Sequence, residues 1–101
     1  LAQTAPTALL SQVIHVGAGD TLNVRKWPSA ASQVINAYNG GDRVRLTGRC
    51  KNTITNVSFR IDAGGSAAWK YSRMKRAHVW CQVMTEAAQL GWVRGKYVWP
   101  E

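Results

Sequence analysis

The sequence predicts a single small all-β domain, and three observations carry this prediction. Its 101 residues are enough for one domain, and 46% of them are apolar, as in globular proteins. The apolar positions show almost no helical periodicity. Instead, short runs of β-branched and aromatic residues alternate with clusters of Gly, Asn, Asp and Pro, which is typical of short strands joined by turns.

Seven segments outside the middle of the chain fit strands. They are Gln12–Val16, Leu22–Arg25, Gln33–Tyr38, Asp42–Cys50, Val79–Met84, Gly91–Val93 and Tyr97–Trp99. Residues 1–11 are rich in Ala, Thr, Ser, Gln and Pro, which indicates a flexible leader. Asn39-Gly40 is the strongest hairpin signal of the chain, because both residue types tolerate the positive φ angles of a two-residue turn.

The stretch of residues 51–78 departs from this rhythm. In its first half apolar residues alternate with polar ones, which predicts one more strand at residues 57–61. Residues 66–76 stay open between a strand, in which Trp69 and Tyr71 alternate with polar neighbours, and a short helix with one apolar face.

Cys50 and Cys81 are predicted to form a disulfide bond. Side chains one residue apart on a strand point to opposite faces. If Val44 and Leu46 point inward, the same parity turns Cys50 inward, and Cys81 shares its face with the inward Val83 on a neighbouring strand. This shared face favours a bond, which would indicate an oxidising compartment, whereas two buried thiols in a reducing compartment are the alternative.

Two groups of motifs lie on either side of the central stretch. The opening group is Leu22-Asn23-Val24-Arg25, Pro28-Ser29, Val34-Ile35 and Gly41-Asp42-Arg43-Val44. The closing group is Trp80 followed by Val83, then Gly91-Trp92-Val93 and Lys96-Tyr97-Val98. In residues and spacing, the segments 12–50 and 79–99 together resemble a bacterial Src homology 3-type domain, although Trp27 stands where that family usually has a small residue.

The resemblance implies a fold and a function. The fold is a small, strongly bent Src homology 3-like β-barrel of five to seven strands over residues 12–101, with residues 51–78 as an extended hairpin or loop insertion. The function is that of a non-enzymatic module without a cofactor, which binds a cell-wall peptide or a partner protein of the cell envelope. A structural subunit of an envelope or secretion assembly is the alternative.

Periplasmic or extracellular localisation is also expected from the start of the chain. Leu1 to Pro6 resembles the tail of a secretory signal, with cleavage after Ala2 or Ala5. An arbitrary chain boundary would explain the same residues. No apolar run approaches the roughly 18 residues of a membrane-spanning helix.

Aromatic residues form the first candidate binding surface. Five Trp and three Tyr are many for this length, and aromatic side chains supply much of the energy of recognition surfaces. Trp27 is the strongest candidate because it lies on a predicted loop, whereas Trp92 is expected in the core, and half of the aromatic residues assigned to the outer face are expected to be structural. The predicted ligand-binding residues are Arg25, Trp27, Tyr38, Trp80, Tyr97 and Trp99.

The central stretch forms the second candidate surface. The net charge is +8, and between Arg43 and Arg76 there are nine Lys or Arg and one Asp. This pattern favours an acidic partner or an anionic polymer of the envelope, whereas nucleic acid is a poorer fit for an exported protein. The barrel is expected to close without residues 51–78. Their predicted contact residues are Arg60, Trp69, Lys70, Tyr71, Arg73, Lys75 and Arg76.

Two further constellations are rejected, so no catalytic or metal-binding residue is predicted. His78 and Cys81 could form a nucleophile and its base, but residues three apart on a strand face opposite sides. Cys50 and Cys81 with two histidines, His15 and His78, lack the close cysteine pair of structural zinc sites.

Overall fold

The computed structural model describes residues 9–61 and 65–100, which form an antiparallel sheet of eight strands with one α-helix. The elements in chain order are β1 (Leu9–Val13), β2 (Leu22–Arg25), β3 (Val34–Tyr38), β4 (Arg43–Asn52), β5 (Val57–Arg60), α1 (Ala67–Met74), β6 (Val79–Met84), β7 (Leu90–Arg94), a 3-10 turn (Gly95–Tyr97) and β8 (Val98–Pro100). The sheet order is β3-β2-β7-β6-β4-β1-β8, and β5 pairs with β4 beside this path. The predicted all-β class is confirmed.

Each of the eight predicted strands overlaps an observed one, but the first begins earlier than expected. Residues 1–8 of the predicted leader lie outside the described residues. Residues 9–11, however, belong to β1, so the leader boundary before Gln12 is wrong. Leu9 to Gln12 pair with Leu46 to Arg43 of β4, and Ser11 is fully buried in this ladder.

The Asn39-Gly40 turn does not make the predicted hairpin. β3 pairs with β2, and β4 pairs with β1, β5 and β6, so the turn carries the chain from the edge of the sheet to its middle. The N–H of Gly41 donates to the Val13 carbonyl at 2.9 Å, and Gly41 has a φ of 88°. A Cβ atom at Gly40 would lie 2.4 Å from the Val16 carbonyl oxygen, so this turn packs against the loop that follows β1 rather than folding β4 onto β3.

β4 bends in its middle and changes partner there. Leu46 faces Val83 of β6 and Cys50 faces Cys81, so β4 advances four residues while β6 advances two. The buried Gly48 lies in this bulge with a φ of 97°, which a residue with a side chain adopts rarely. Before the bulge the second edge of β4 pairs with β1, and after it that edge pairs with β5.

The core forms on the face of the sheet that strand alternation predicts. Buried residues alternate with exposed or half-buried ones along β4, as expected for a strand with one face covered. Cys50 and Cys81 are fully buried cross-strand neighbours, and their sulfur atoms are bonded, so the predicted disulfide is confirmed. The apolar residues that join them in the main core cluster include Val13, Val24, Val44, Leu46, Val83, Val93 and Val98.

The open choice at residues 66–76 resolves as a helix. Ser66 caps the start of α1, since its hydroxyl oxygen accepts a hydrogen bond from the Trp69 N–H at 3.1 Å. A Cβ atom at Gly95 would lie 2.4 Å from the Met74 carbonyl oxygen, so the glycine lets the end of the helix approach the turn before β8. Within the part of the chain that is described, no helix is long and apolar enough to cross a membrane.

The central stretch is part of the core, which corrects the expectation that the fold is complete without it. Ile61, which follows β5, and Met74 of α1 are both fully buried members of the core cluster. The Ile61 N–H donates to the Gly48 carbonyl at 2.9 Å, so the bulge of β4 also holds this segment. Removing residues 52–78 would therefore remove Ile61 and Met74 from the core and expose the side chains that pack around them.

The core role of α1 predicts a stability difference between two apolar residues of the central stretch. Met74→Ala should lower the free energy of unfolding by about 2–5 kcal/mol, because it empties a fully buried site. Ile54→Ala should change it by no more than about 0.5 kcal/mol, because that side chain is 69% exposed. Denaturant unfolding of both variants checks this. Equal, small effects would show that the helix contributes nothing to the core.

The disulfide predicts a mass change on reduction. Intact protein, denatured without reductant, should resist alkylation at Cys50 and Cys81 and should gain the mass of two hydrogen atoms when reduced. Mass spectrometry before and after reductant measures this. Two thiols that alkylate freely without reductant would contradict the bond.

Candidate functional site

Trp27 lies on the β2–β3 loop and is 63% exposed, as predicted. The loop is held from within: the Trp27 N–H donates to the Ser32 hydroxyl at 2.9 Å, and Arg25 Nη1 donates to the Ser32 carbonyl at 2.9 Å. Arg25 is therefore half-buried against its own loop. It also lies in register with Trp92 of β7.

Two other predicted ligand-binding aromatics are buried, which corrects the expectation that their rings are exposed. Only 5% of Trp80 is exposed, and the Arg94 guanidinium lies over its ring at 4.9 Å from the ring centre. Tyr38 is 6% exposed, and its hydroxyl contacts the Glu86 carboxylate. Trp92, expected in the core, is 8% exposed. Three of the aromatic residues assigned to the outer face are therefore buried.

Tyr38 has a strongly perturbed hydroxyl. It donates to the Glu86 carboxylate at 3.3 Å, which ties β3 to the β6–β7 turn. Burial, and then the negative charge of Glu86, raise the pKa of Tyr38 from 10.0 to about 12. The folded protein therefore stabilises the neutral form of this hydroxyl.

Tyr97 and Trp99 lie at the end of the sheet that α1 covers. The rings of Trp99 and Tyr71 are 5.2 Å apart, and the Tyr71 hydroxyl donates to the Lys96 carbonyl at 2.7 Å. Burial raises the pKa of Tyr71. Tyr97 is half-buried, with the Lys96 ammonium 5.2 Å from its ring centre. The structure therefore brings Trp99, predicted for the first surface, into contact with Tyr71, predicted for the second.

The charged residues of the central stretch separate into different environments. Lys70 is only 9% exposed, because it lies on the buried side of α1 with Met74, so its assignment to an exposed surface is wrong. Arg60 is exposed, and its Nη2 is 3.5 Å from the Thr47 carbonyl. Lys75 and Arg76 are exposed beyond the end of α1.

Arg73 is held between two aromatic rings. The centre of its guanidinium lies 5.4 Å from the Phe59 ring of β5 and 5.2 Å from the Trp69 ring one turn earlier on α1. Cation–π contacts at these distances are attractive and fix the plane of the group. Arg73 Nε is buried and has no hydrogen-bond partner, the one such side-chain atom among the described residues.

A cleft of about 300 Å³ opens beside Arg73, between the β4–β5 hairpin and the end of α1. Its lining combines two guanidinium groups, two neutral polar side chains and an apolar wall. The lining residues are Asn52, Thr55, Val57, Phe59, Arg73, Arg76 and Val79. None of the carboxylates of residues 9–61 and 65–100 lines it, so the cleft is cationic and suits an anionic group with an apolar neighbour.

The hairpin that forms one wall of the cleft is held by local hydrogen bonds. Asn52 Oδ1 accepts from the N–H groups of Ile54 and Thr55 at 2.9 and 3.2 Å. Thr53 donates from both its N–H and its hydroxyl to the His78 carbonyl, at 2.9 and 3.2 Å, which anchors the turn to the start of β6. These hydrogen bonds hold the β4–β5 turn in place against the start of β6.

The sequence interpretation missed the walls of this cleft. Asn52, Thr55, Val57, Phe59 and Val79 were not among the predicted contact residues. Two signals were available: Val57 and Phe59 alternate on one strand, and Trp69 and Arg73 are four residues apart, which makes them neighbours on a helix. Neither signal shows that β5 and α1 meet.

Cys81 is bonded to Cys50, so it offers no thiol to His78. Nowhere within residues 9–61 and 65–100 do three His, Cys, Asp or Glu side chains gather in a geometry that could hold a metal ion.

Glu86 and Tyr38 predict a pH dependence. Because the pKa of Tyr38 is about 12 in the folded protein and 10.0 without its surroundings, the unfolded chain loses this proton first as pH rises. Stability should therefore fall between about pH 10 and pH 12. Glu86→Gln should lower the pKa of Tyr38, although burial keeps it above 10.0.

The ultraviolet absorbance of tyrosinate measures this titration, and Tyr38→Phe identifies the step that belongs to Tyr38. A tyrosinate titration unchanged by Glu86→Gln would contradict the assigned contact.

Comparisons with protein-family models, curated proteins and solved structures return no significant match to this chain.

Proposed function

We propose that this chain is an exported, non-enzymatic binding module that recognises an acidic peptide, either a cell-wall peptide or a segment of an envelope partner protein. The observation that carries the proposal is the Arg73 guanidinium, held between Phe59 and Trp69 beside a cationic cleft. The proposed fold is a bent Src homology 3-like sheet, and the proposed site is the cleft between the β4–β5 hairpin and α1.

Arg73 is suited to bind an anion strongly. Because Arg73 is half-buried beside the Phe59 and Trp69 rings, its attraction to a carboxylate is screened less than that of a fully exposed arginine. Since the two rings already fix the group, little side-chain entropy is lost on binding.

The disulfide supports the export part of the proposal. Disulfides persist in oxidising compartments such as the periplasm and the extracellular space, and are rare where thiols are kept reduced. The same bond supports the non-enzymatic part, because it removes the one thiol nucleophile that the sequence offered for consideration at Cys81.

The pairing of β2 with β7 supports the Src homology 3-like part. The opening motif Leu22–Arg25 and the closing motif Gly91–Val93 are far apart in the chain. In the sheet they lie on adjacent strands, and Arg25 faces Trp92 directly. This pairing is expected if the opening and closing motif groups belong to one compact module.

A second candidate function, a structural subunit of an envelope assembly, is favoured by a different surface. Trp27, Val34 and Leu90 are 63%, 43% and 50% exposed. They belong to the β3-β2-β7 side of the sheet, and Val34 lies beside Arg25 in register. Exposed apolar residues of this kind suit a protein–protein contact that is separate from the cleft.

Binding of acidic peptides by matched arginine variants tests the main proposal. The probes are short synthetic peptides that differ only in Asp or Glu against Asn or Gln, with affinity measured by calorimetry. Arg73→Gln should weaken binding of the acidic peptides at least tenfold, because a hydrogen bond to a charged group is worth about 1.5–3 kcal/mol. Wild-type binding should weaken as salt rises.

Arg94→Gln is the matched control. Arg94 also lies over a tryptophan, at 4.9 Å from Trp80, but it does not line the cleft. Its replacement should leave the affinity for acidic peptides within about twofold. If Arg73→Gln binds like the wild type while Trp27→Ala abolishes binding, recognition belongs to the β2–β3 loop and the proposed site is wrong.

A further inference from the structure

The chemistry of the cleft lining narrows the ligand beyond an acidic peptide. We infer that the cleft takes the free C-terminal carboxylate of a peptide whose last residue has an apolar side chain. This inference rests on the proposed function, since it concerns the same cleft. Three features of the lining carry it: its polar groups, its apolar wall and its size.

The polar groups of the lining present donors. Arg73 and Arg76 carry only N–H donors. Asn52 already uses its side-chain oxygen on the N–H groups of Ile54 and Thr55, so the group it has left for a ligand is the NH₂ donor. A ligand group that accepts several hydrogen bonds and carries negative charge satisfies this set, and a carboxylate does so with two oxygens.

The apolar wall lies in the same cleft as these donors. Val57, Phe59 and Val79 line it together with the arginines. In an internal Asp or Glu, the only apolar part of the residue's side chain is the CH₂ group or groups that carry the carboxylate. A C-terminal residue instead carries its carboxylate and its side chain on one Cα atom, so it presents charge to the arginines and an apolar group to the wall at the same time.

The size of the cleft suits a single residue. Its volume of about 300 Å³ is at the lower end of ligand pockets. This volume accommodates one terminal residue with both its carboxylate and its side chain. A polyanion needs a basic groove that follows its backbone, whereas this cleft joins its arginines to an apolar wall.

Three acetylated peptides of one length test the inference. The first ends in Ala with a free carboxylate, the second is its C-terminal amide, and the third is that amide with an internal Asp. Calorimetry should show the free acid binding at least tenfold more tightly than either amide. Arg73→Gln should remove this preference, and Arg94→Gln should keep it.

A second series tests the apolar wall. Replacing the last Ala by Gly should weaken binding of the free acid a few-fold, and Val57→Ser should remove this difference while keeping the preference for a carboxylate. Val57 is 56% exposed, so this variant is expected to fold.

The outcomes separate this inference from the proposed function. If the amide with an internal Asp binds as tightly as the free acid, the C-terminal assignment is overturned while acidic-peptide recognition stands. If no acidic peptide binds in either form, both are overturned.

Discussion

The ladder between β4 and β6, joined at Cys50 and Cys81, is the constraint on which the rest of the structure depends. β4 is ten residues long and has a partner on each edge, and its partner on one edge changes from β1 to β5 halfway along. This change requires a bend, which the bulge at Gly48 supplies. The disulfide lies just after the bulge, so the bond holds the two strands together where their register has shifted.

The same bend creates the candidate site. Past the bulge, β4 extends the sheet by pairing with β5, whose Phe59 then faces the end of α1 through Arg73. The helix reaches this position because Met74 enters the core and because Gly95 admits its backbone. Arg73 is thus positioned by core packing on one side and by a strand of the sheet on the other. A cation that is fixed in this way is pre-organised for an anion.

Strand alternation predicted much of this fold from the sequence, because its period of two is a local property. It found the inward faces of β4 and β6, and with them the disulfide. It did not find the burial of Trp80, since alternation shows which face a side chain lies on and not what covers that face. Here the Arg94 guanidinium lies over the Trp80 ring, 4.9 Å from the ring centre. Lys70 was misassigned for the same reason: charge predicts exposure only where no neighbouring element covers the residue.

Local sequence patterns did not predict the contacts between segments that are distant in the chain. Asn39-Gly40 has the residues of a two-residue hairpin, yet the turn packs against Val16, and β4 pairs elsewhere. Local propensity fixes the turn, whereas the pairing of the strands after it depends on the whole sheet. The cleft is a stronger case, because its walls come from the β4–β5 hairpin, α1 and the start of β6. No single segment of the sequence contains the site.

Arg73 and Arg94 show why the cleft, and not every stacked arginine, is the candidate site. Both guanidinium groups lie about 5 Å from aromatic rings, at distances of 5.2 and 4.9 Å for the tryptophans. Arg94 lies over the ring of the buried Trp80 on the sheet, so packing explains its contact. Arg73 is the arginine whose Nε is buried without a hydrogen-bond partner, beside a cleft lined by donors and apolar groups. The two arginines therefore differ in their surroundings, because Arg94 lies over a buried ring whereas Arg73 borders open space that another group can occupy.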